Sequence, residues 1–142
     1  MPYIMHETKK NRLNESCVLR EISKQIGKTI LPTDKLTGWD GIVEETGMAF
    51  EVKCRSYNWD FFYRNGLILN EGKWNTLVSR SVSGLKTILV VQAVKEIRWV
   101  DVSKIPAAYL RYDKAACDRY STPCDGPVVV ISGVAFRKLE TL

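Results

Sequence analysis

Histidine is almost missing from this chain: His6 stands alone among 142 residues. The four cysteines, at positions 17, 54, 117 and 124, make no CxxC pair and no Cys/His cluster, so a structural zinc centre lacks its ligands and their spacing. Long apolar runs are missing too. None exceeds the strand-sized stretch Ile88–Val91, far below the ~20 residues of a membrane helix. Residues Met1–Glu7 lack a basic segment followed by an apolar one, so they do not read as a secretory signal. No repeat and no low-complexity segment is present. These absences lead to the expectation of a cytoplasmic protein with reduced thiols and no membrane partner.

The chain has enough material for one core, and 142 residues at 16.2 kDa are expected to form a single domain over 1–142. A composition that is 45% hydrophobic and 26% charged argues against disorder. Lys and Arg number 21 against 16 Asp and Glu, a net charge of +5. Such a surface attracts polyanions, and phosphates that it neutralises release counterions. Basicity alone fits a merely solvated surface equally well.

Apolar residues at three- and four-residue steps (Val18, Leu19, Ile22, Ile26) predict a helix over about 11–27, with Gly27 as its C-cap. Residues 31–34 read as a loop. Two strand-like segments follow, Trp39–Glu45 and Met48–Lys53, joined through Thr46-Gly47. An aromatic loop (Tyr57, Trp59, Phe61, Phe62, Tyr63) leads to a second helix over Asn70–Ser83, with Asn70 as a possible cap. Strands are expected at Lys86–Val94, Ile97–Val102 and Pro127–Ser132, and a short helix at Ile105–Tyr112. Cys17 and Cys54 read as small core residues, while Cys117 and Cys124 flank a loop in which they could approach each other. This order predicts an α/β (α+β) domain with a mixed sheet.

The informative segment is 38–53, GWDGIVEETGMAFEVK. A two-residue loop at Thr46-Gly47 sets Val43 opposite Phe50 and Asp40 opposite Lys53. Opposed residues share a sheet face, as do residues two apart, so Asp40, Glu51 and Lys53 emerge together. A four-residue loop preserves that outcome; a three-residue loop sends Asp40 to the other side. Two carboxylates beside an ammonium are costly to bury without purpose. A divalent ion relieves the conflict, and Mg2+, with Mn2+ as a substitute, suits one or two carboxylates plus phosphate oxygens. Exposed charges on a solvated hairpin, with an Asp40–Lys53 ion pair, are the plainer alternative.

Asp40-Gly41, a short hairpin and then Glu51-Val52-Lys53-Cys54-Arg55 together resemble the active-site hairpin of the PD-(D/E)XK nuclease superfamily, which has the restriction-endonuclease-like fold. The helices and strands around it follow an order similar to that family's αβββαβ core, here about 11–94, with a sheet and helix extension over 97–142. Trp39 stands where the family has Pro. The resemblance implies a Mg2+-dependent DNA endonuclease in which Asp40 and Glu51 bind the metal, the Val52 carbonyl is an additional ligand and Lys53 is catalytic. Many members carry a metal-directed Glu on the first helix. Glu15, in register with Leu19, Ile22 and Ile26, is the matching residue; Glu21 and Glu7 are fallbacks. A small stand-alone domain of this kind is similar to Holliday-junction resolvases and phage-type endonucleases. It is expected to act on branched or duplex DNA as a homodimer. Arg55, Arg64, Lys73, Asn75 and Arg12 are the expected nucleic-acid contacts. A restriction-type or exonuclease activity, or a non-catalytic nucleic-acid- or partner-binding module of the same fold, are the alternatives.

Overall fold

Val18, Leu19 and Ile22 lie on one stripe of the first helix, and that stripe packs against one face of a sheet. The computed structural model describes residues 9–33, 40–114 and 126–142, with side chains from residue 14 onward. Helix α1 (Lys9–Ile26) ends at Gly27, whose φ of 70° gives the left-handed turn that glycine adopts without strain. Cys17 falls off the buried stripe and is exposed, contrary to the core position expected from the sequence. Cys54 is half-buried, and Cys117 and Cys124 lie outside the described residues.

Strands β1 (Leu31–Pro32), β2 (Gly41–Val43) and β3 (Met48–Arg55) follow. The short β1 replaces the loop expected over 31–34 and pairs with β2. Between β2 and β3 the register sets Val43 opposite Met48, Ile42 opposite Ala49 and Gly41 opposite Phe50. The connection is therefore the four-residue turn 44–47 rather than a two-residue loop. This shifts each pairing by two positions and leaves every side chain on its expected face. Gly47, with φ 73°, closes the turn by donating to the Val43 carbonyl at 2.8 Å.

After β3 the chain forms α2 (Trp59–Asn65), β4 (Leu67–Asn70) and α3 (Glu71–Val82), then β5 (Thr87–Ala93), which runs parallel to β3. The aromatic stretch is thus a helix and not a loop. Asn58 caps it by accepting from Phe61 N, and Gly66 ends it. Its unpatterned aromatics are explained by burial on several sides: Trp59 and Phe62 sit in a core with Leu67, Trp74, Leu77, Leu89 and Val91. At α3, the Asn70 side chain accepts from Gly72 N at 2.7 Å, the cap expected from the sequence.

Strand β6 (Glu96–Asp101) pairs antiparallel with β5. Residues 105–112 do not form one helix. Brief 3-10 turns at Val102–Lys104 and Ala107–Tyr109 precede β7 (Leu110–Asp113), because Pro106 interrupts any continuous helical ladder. Strand β8 (Val128–Ile131) lies between β4 and β7 in a second sheet, and β9 (Arg137–Lys138) pairs with β6. The main sheet therefore has the order β1-β2-β3-β5-β6-β9. One face carries Phe50, Val52, Ile88 and Val90 against α1, and the other carries Leu89 and Val91 against α3. This mixed architecture, with an αβββαβ core interrupted by α2 and β4, is restriction-endonuclease-like. Among the described residues no helix is long and apolar enough to cross a membrane.

Candidate active site

Asp40 stands at the point where β2 stops following β3. Its N–H donates to the Phe50 carbonyl at 2.8 Å, and its Oδ2 accepts from Val52 N at 2.7 Å. The carboxylate thus satisfies a backbone donor that the ladder leaves behind as β2 departs. In an extended strand a residue's carbonyl points to the same edge as its N–H, so the Val52 carbonyl also faces the Asp40 side. The β2–β3 pairing ends at Gly41–Phe50, and Asp40 lies just beyond it, close enough to Glu51 that its negative charge pushes the Glu51 carboxyl up.

Glu51 is 1% exposed, an extreme position for a carboxylate. Its neighbours follow from the β3–β5 register, in which Glu51 pairs with Leu89 and Lys53 with Val91. Both side chains therefore point to the α3 side. From α3, Lys73 Nζ reaches Glu51 Oε1 at 3.0 Å. Glu51 Oε2 is buried and accepts no hydrogen bond among the described residues. Burial lifts the Glu51 carboxyl to about 7; Lys53 pulls it down, Asp40 pushes it up, and Lys73 pulls it down.

The orphan oxygen tests whether a hard divalent ion suits this place, and it does. Asp40, Glu51 and the Val52 carbonyl are oxygen groups of the kind a hard divalent ion takes, and Glu51 Oε2 is a buried acceptor with no hydrogen-bond donor among the described residues. No group of three His, Cys, Asp or Glu side chains converges among the described residues. Few protein ligands suit magnesium, which keeps several waters.

Glu15 lies half-buried on α1, on the sheet face opposite Glu51. It acts on Cys54, whose thiol is pushed up to about 11, first by burial and then by Glu15. Asp40 raises both Glu51 and Cys54, which point to opposite faces of β3. Glu21 is exposed and pairs with Lys24 at 3.4 Å. Glu7 and the Arg12 side chain lie outside the described residues.

The expected substrate contacts are dispersed. Arg55 is half-buried at the end of β3 and donates to the Cys54 carbonyl at 3.1 Å. Arg64 lines a cavity of about 290 Å³ with Tyr63, Tyr109 and Arg111. Asn75 opens onto a groove of about 530 Å³ along α3, with Thr76, Ser79 and Arg80. Lys73 is the exception, since it is paired to Glu51 instead of being presented to solvent. That pairing crosses elements and is invisible in the sequence. A second unanticipated contact joins Arg80 to the Gly47 carbonyl, tying α3 to the turn of the hairpin.

No protein-family model and no curated protein sequence matches the chain. Among solved structures it is similar to a Holliday junction resolvase from the archaeal hyperthermophile Archaeoglobus fulgidus, at 15% identity and a TM-score of 0.52, covering 89% of this chain and 96% of that one. Likeness at that identity is a likeness of architecture, and it matches the superfamily resemblance of the 40–55 hairpin: the fold is restriction-endonuclease-like.

Proposed function

We propose that the chain is a Mg2+-dependent DNA endonuclease, with Mn2+ able to substitute, that acts on branched DNA as a homodimer. The observation that carries this reading is Glu51, a fully buried carboxylate with an orphan oxygen, near enough to Asp40 and Lys53 to feel both charges. The resolvase-like fold supports it. A bound ion supplies Lewis-acid activation of the phosphate. Asp40 and Glu51 hold that ion, with the Val52 carbonyl as a further oxygen donor. Lys53, on the same face as Glu51, offsets the negative charge that builds as water adds to phosphorus. As the new P–O bond forms, the attacking water gives up a proton to solvent, one P–O ester bond breaks, and the departing sugar oxygen takes a proton from solvent water. Arg55, Arg64, Asn75 and Arg12 contact the DNA backbone, where cations displace counterions.

The pairing of Lys73 with Glu51, and the lack of a third converging acid among the described residues, favour a second reading: a DNA-binding module of this fold that does not cut. One panel separates the two. The protein is incubated with Mg2+, Mn2+ or chelator and a four-way junction, linear duplex or single strand. The nuclease reading predicts metal-dependent cleavage, fastest on the junction and abolished in Asp40→Asn and Glu51→Gln. Tight binding without cleavage in either metal supports the module. Equal rates on all substrates remove the junction specificity.

A further inference from the structure

We propose that Lys73 is a tethered counter-cation: its ammonium holds Glu51 while the site lacks a divalent ion, and it passes from Glu51 to a substrate phosphate when the ion arrives. This rests on the nuclease reading and deepens it.

Glu51 cannot move, because its side chain is 2% exposed and its strand is held between β2 and β5. Lys73 can, because its side chain is 31% exposed and reaches the carboxylate from the first turn of α3 on a flexible four-carbon stem. The helix end carries positive partial charge, which works against an ammonium at that position, and the 3.0 Å contact with Glu51 works for it.

The contact engages only Oε1 and leaves Oε2 orphaned. A dication between Asp40 and Glu51 uses that oxygen and competes for the same negative charge. An ammonium a few ångströms away then repels it strongly, because the buried setting screens poorly. The lower-energy arrangement has the ion on the carboxylates and the ammonium swung toward solvent. Lys73 is already 31% exposed, so a released ammonium reaches solvent at the start of α3, where a phosphate backbone can approach it. Each cation thereby ends on an anion: the ion on the carboxylates, the lysine on the phosphate.

Lysine footprinting by acylation and mass spectrometry tests this on the intact protein, with Ca2+ in place of Mg2+ when DNA is present, to limit cutting. The expected result is slow acylation of Lys73 in chelator, a severalfold rise with Mg2+, and a fall when four-way junction DNA is added with Ca2+. In Glu51→Gln, Lys73 is expected to react fast without metal, and Mg2+ to change nothing. Binding of Mn2+ is followed in parallel by the loss of the free-ion paramagnetic resonance signal. If Mn2+ binds in a Glu51-dependent way while Lys73 reactivity stays constant, the exchange is overturned and the metal site survives. If the wild-type protein binds no Mn2+, both the metal site and the exchange fall.

Discussion

A carboxyl group lifted to about 7 by burial makes Glu51 a pH-dependent liability for the metal-free fold. Its folded value lies above the ordinary carboxyl value of 4.5, so the folded protein holds the proton more tightly than the unfolded chain does. The stability this contributes is fully present below about 4.5 and is lost as pH rises through about 7. Urea unfolding in chelator is therefore expected to show stability falling by on the order of 3 kcal/mol between pH 5 and pH 8, other groups aside. Glu51→Gln keeps the shape without the charge. It is expected to flatten that dependence and to be at least as stable as wild type at pH 8. An unchanged pH slope in the variant would show that Glu51 is not its source. Asp40 separates in another way. Asp40→Asn can still accept from Val52 N, whereas Asp40→Ala leaves that donor without its acceptor, at a cost of about 1–3 kcal/mol. Thermal unfolding is expected to rank alanine below asparagine, with metal binding lost in both.

At the scale of elements, the glycine between α2 and β4 is a sharp test of the inserted segment. Gly66 has φ 75°, and a Cβ there would lie 2.6 Å from Val130 Cγ1 and 2.9 Å from the Ile131 carbonyl oxygen. Gly66→Ala is expected to destabilise by about 2 kcal/mol or more, read by urea unfolding, through strain and a forced separation of β4 from β8. This segment is also where the sequence misleads. Helix α1 was legible because Val18, Leu19 and Ile22 repeat with helical period against one sheet face, and α3 because Asn70 caps it. In α2 the same logic fails because the helix is only seven residues long: buried Trp59 and Phe62 against exposed Asp60 and Arg64 are too few positions to reveal a period, and Tyr57 stacks on Phe61 from outside the helix at 4.1 Å. The signals that remain are its ends, Asn58 and Gly66. Strand β7 escapes for another reason: Pro106 and the 3-10 turn after it interrupt the only run that could have shown alternation. At the site, the shared face of Glu51 and Lys53 follows from strand parity along β3, which the length of the preceding turn does not touch; Asp40, one residue outside β2, escapes that rule. The Lys73–Glu51 contact joins a helix to a strand and has no local pattern.

Across the whole molecule, a net charge of +5 predicts DNA affinity that falls steeply with salt, whatever the chemistry of the site. Arg64 lies in a cavity with Tyr63, Tyr109 and Arg111, formed where α2 meets the second sheet. Arg64→Gln is expected to weaken binding to a four-way junction and to lower the salt slope by about one, without altering ion affinity. An unchanged slope in fluorescence anisotropy removes Arg64 from the DNA surface. The account as a whole depends on the edge where β2 leaves β3, since the rest of the fold positions that one place. A calorimetric titration of Mn2+ into wild type, Asp40→Asn and Glu51→Gln, each shown to be folded, addresses it most directly. The expected result is one bound ion per chain in the wild type and none in either variant; an ion that binds equally to all three, or to none of them, contradicts the account.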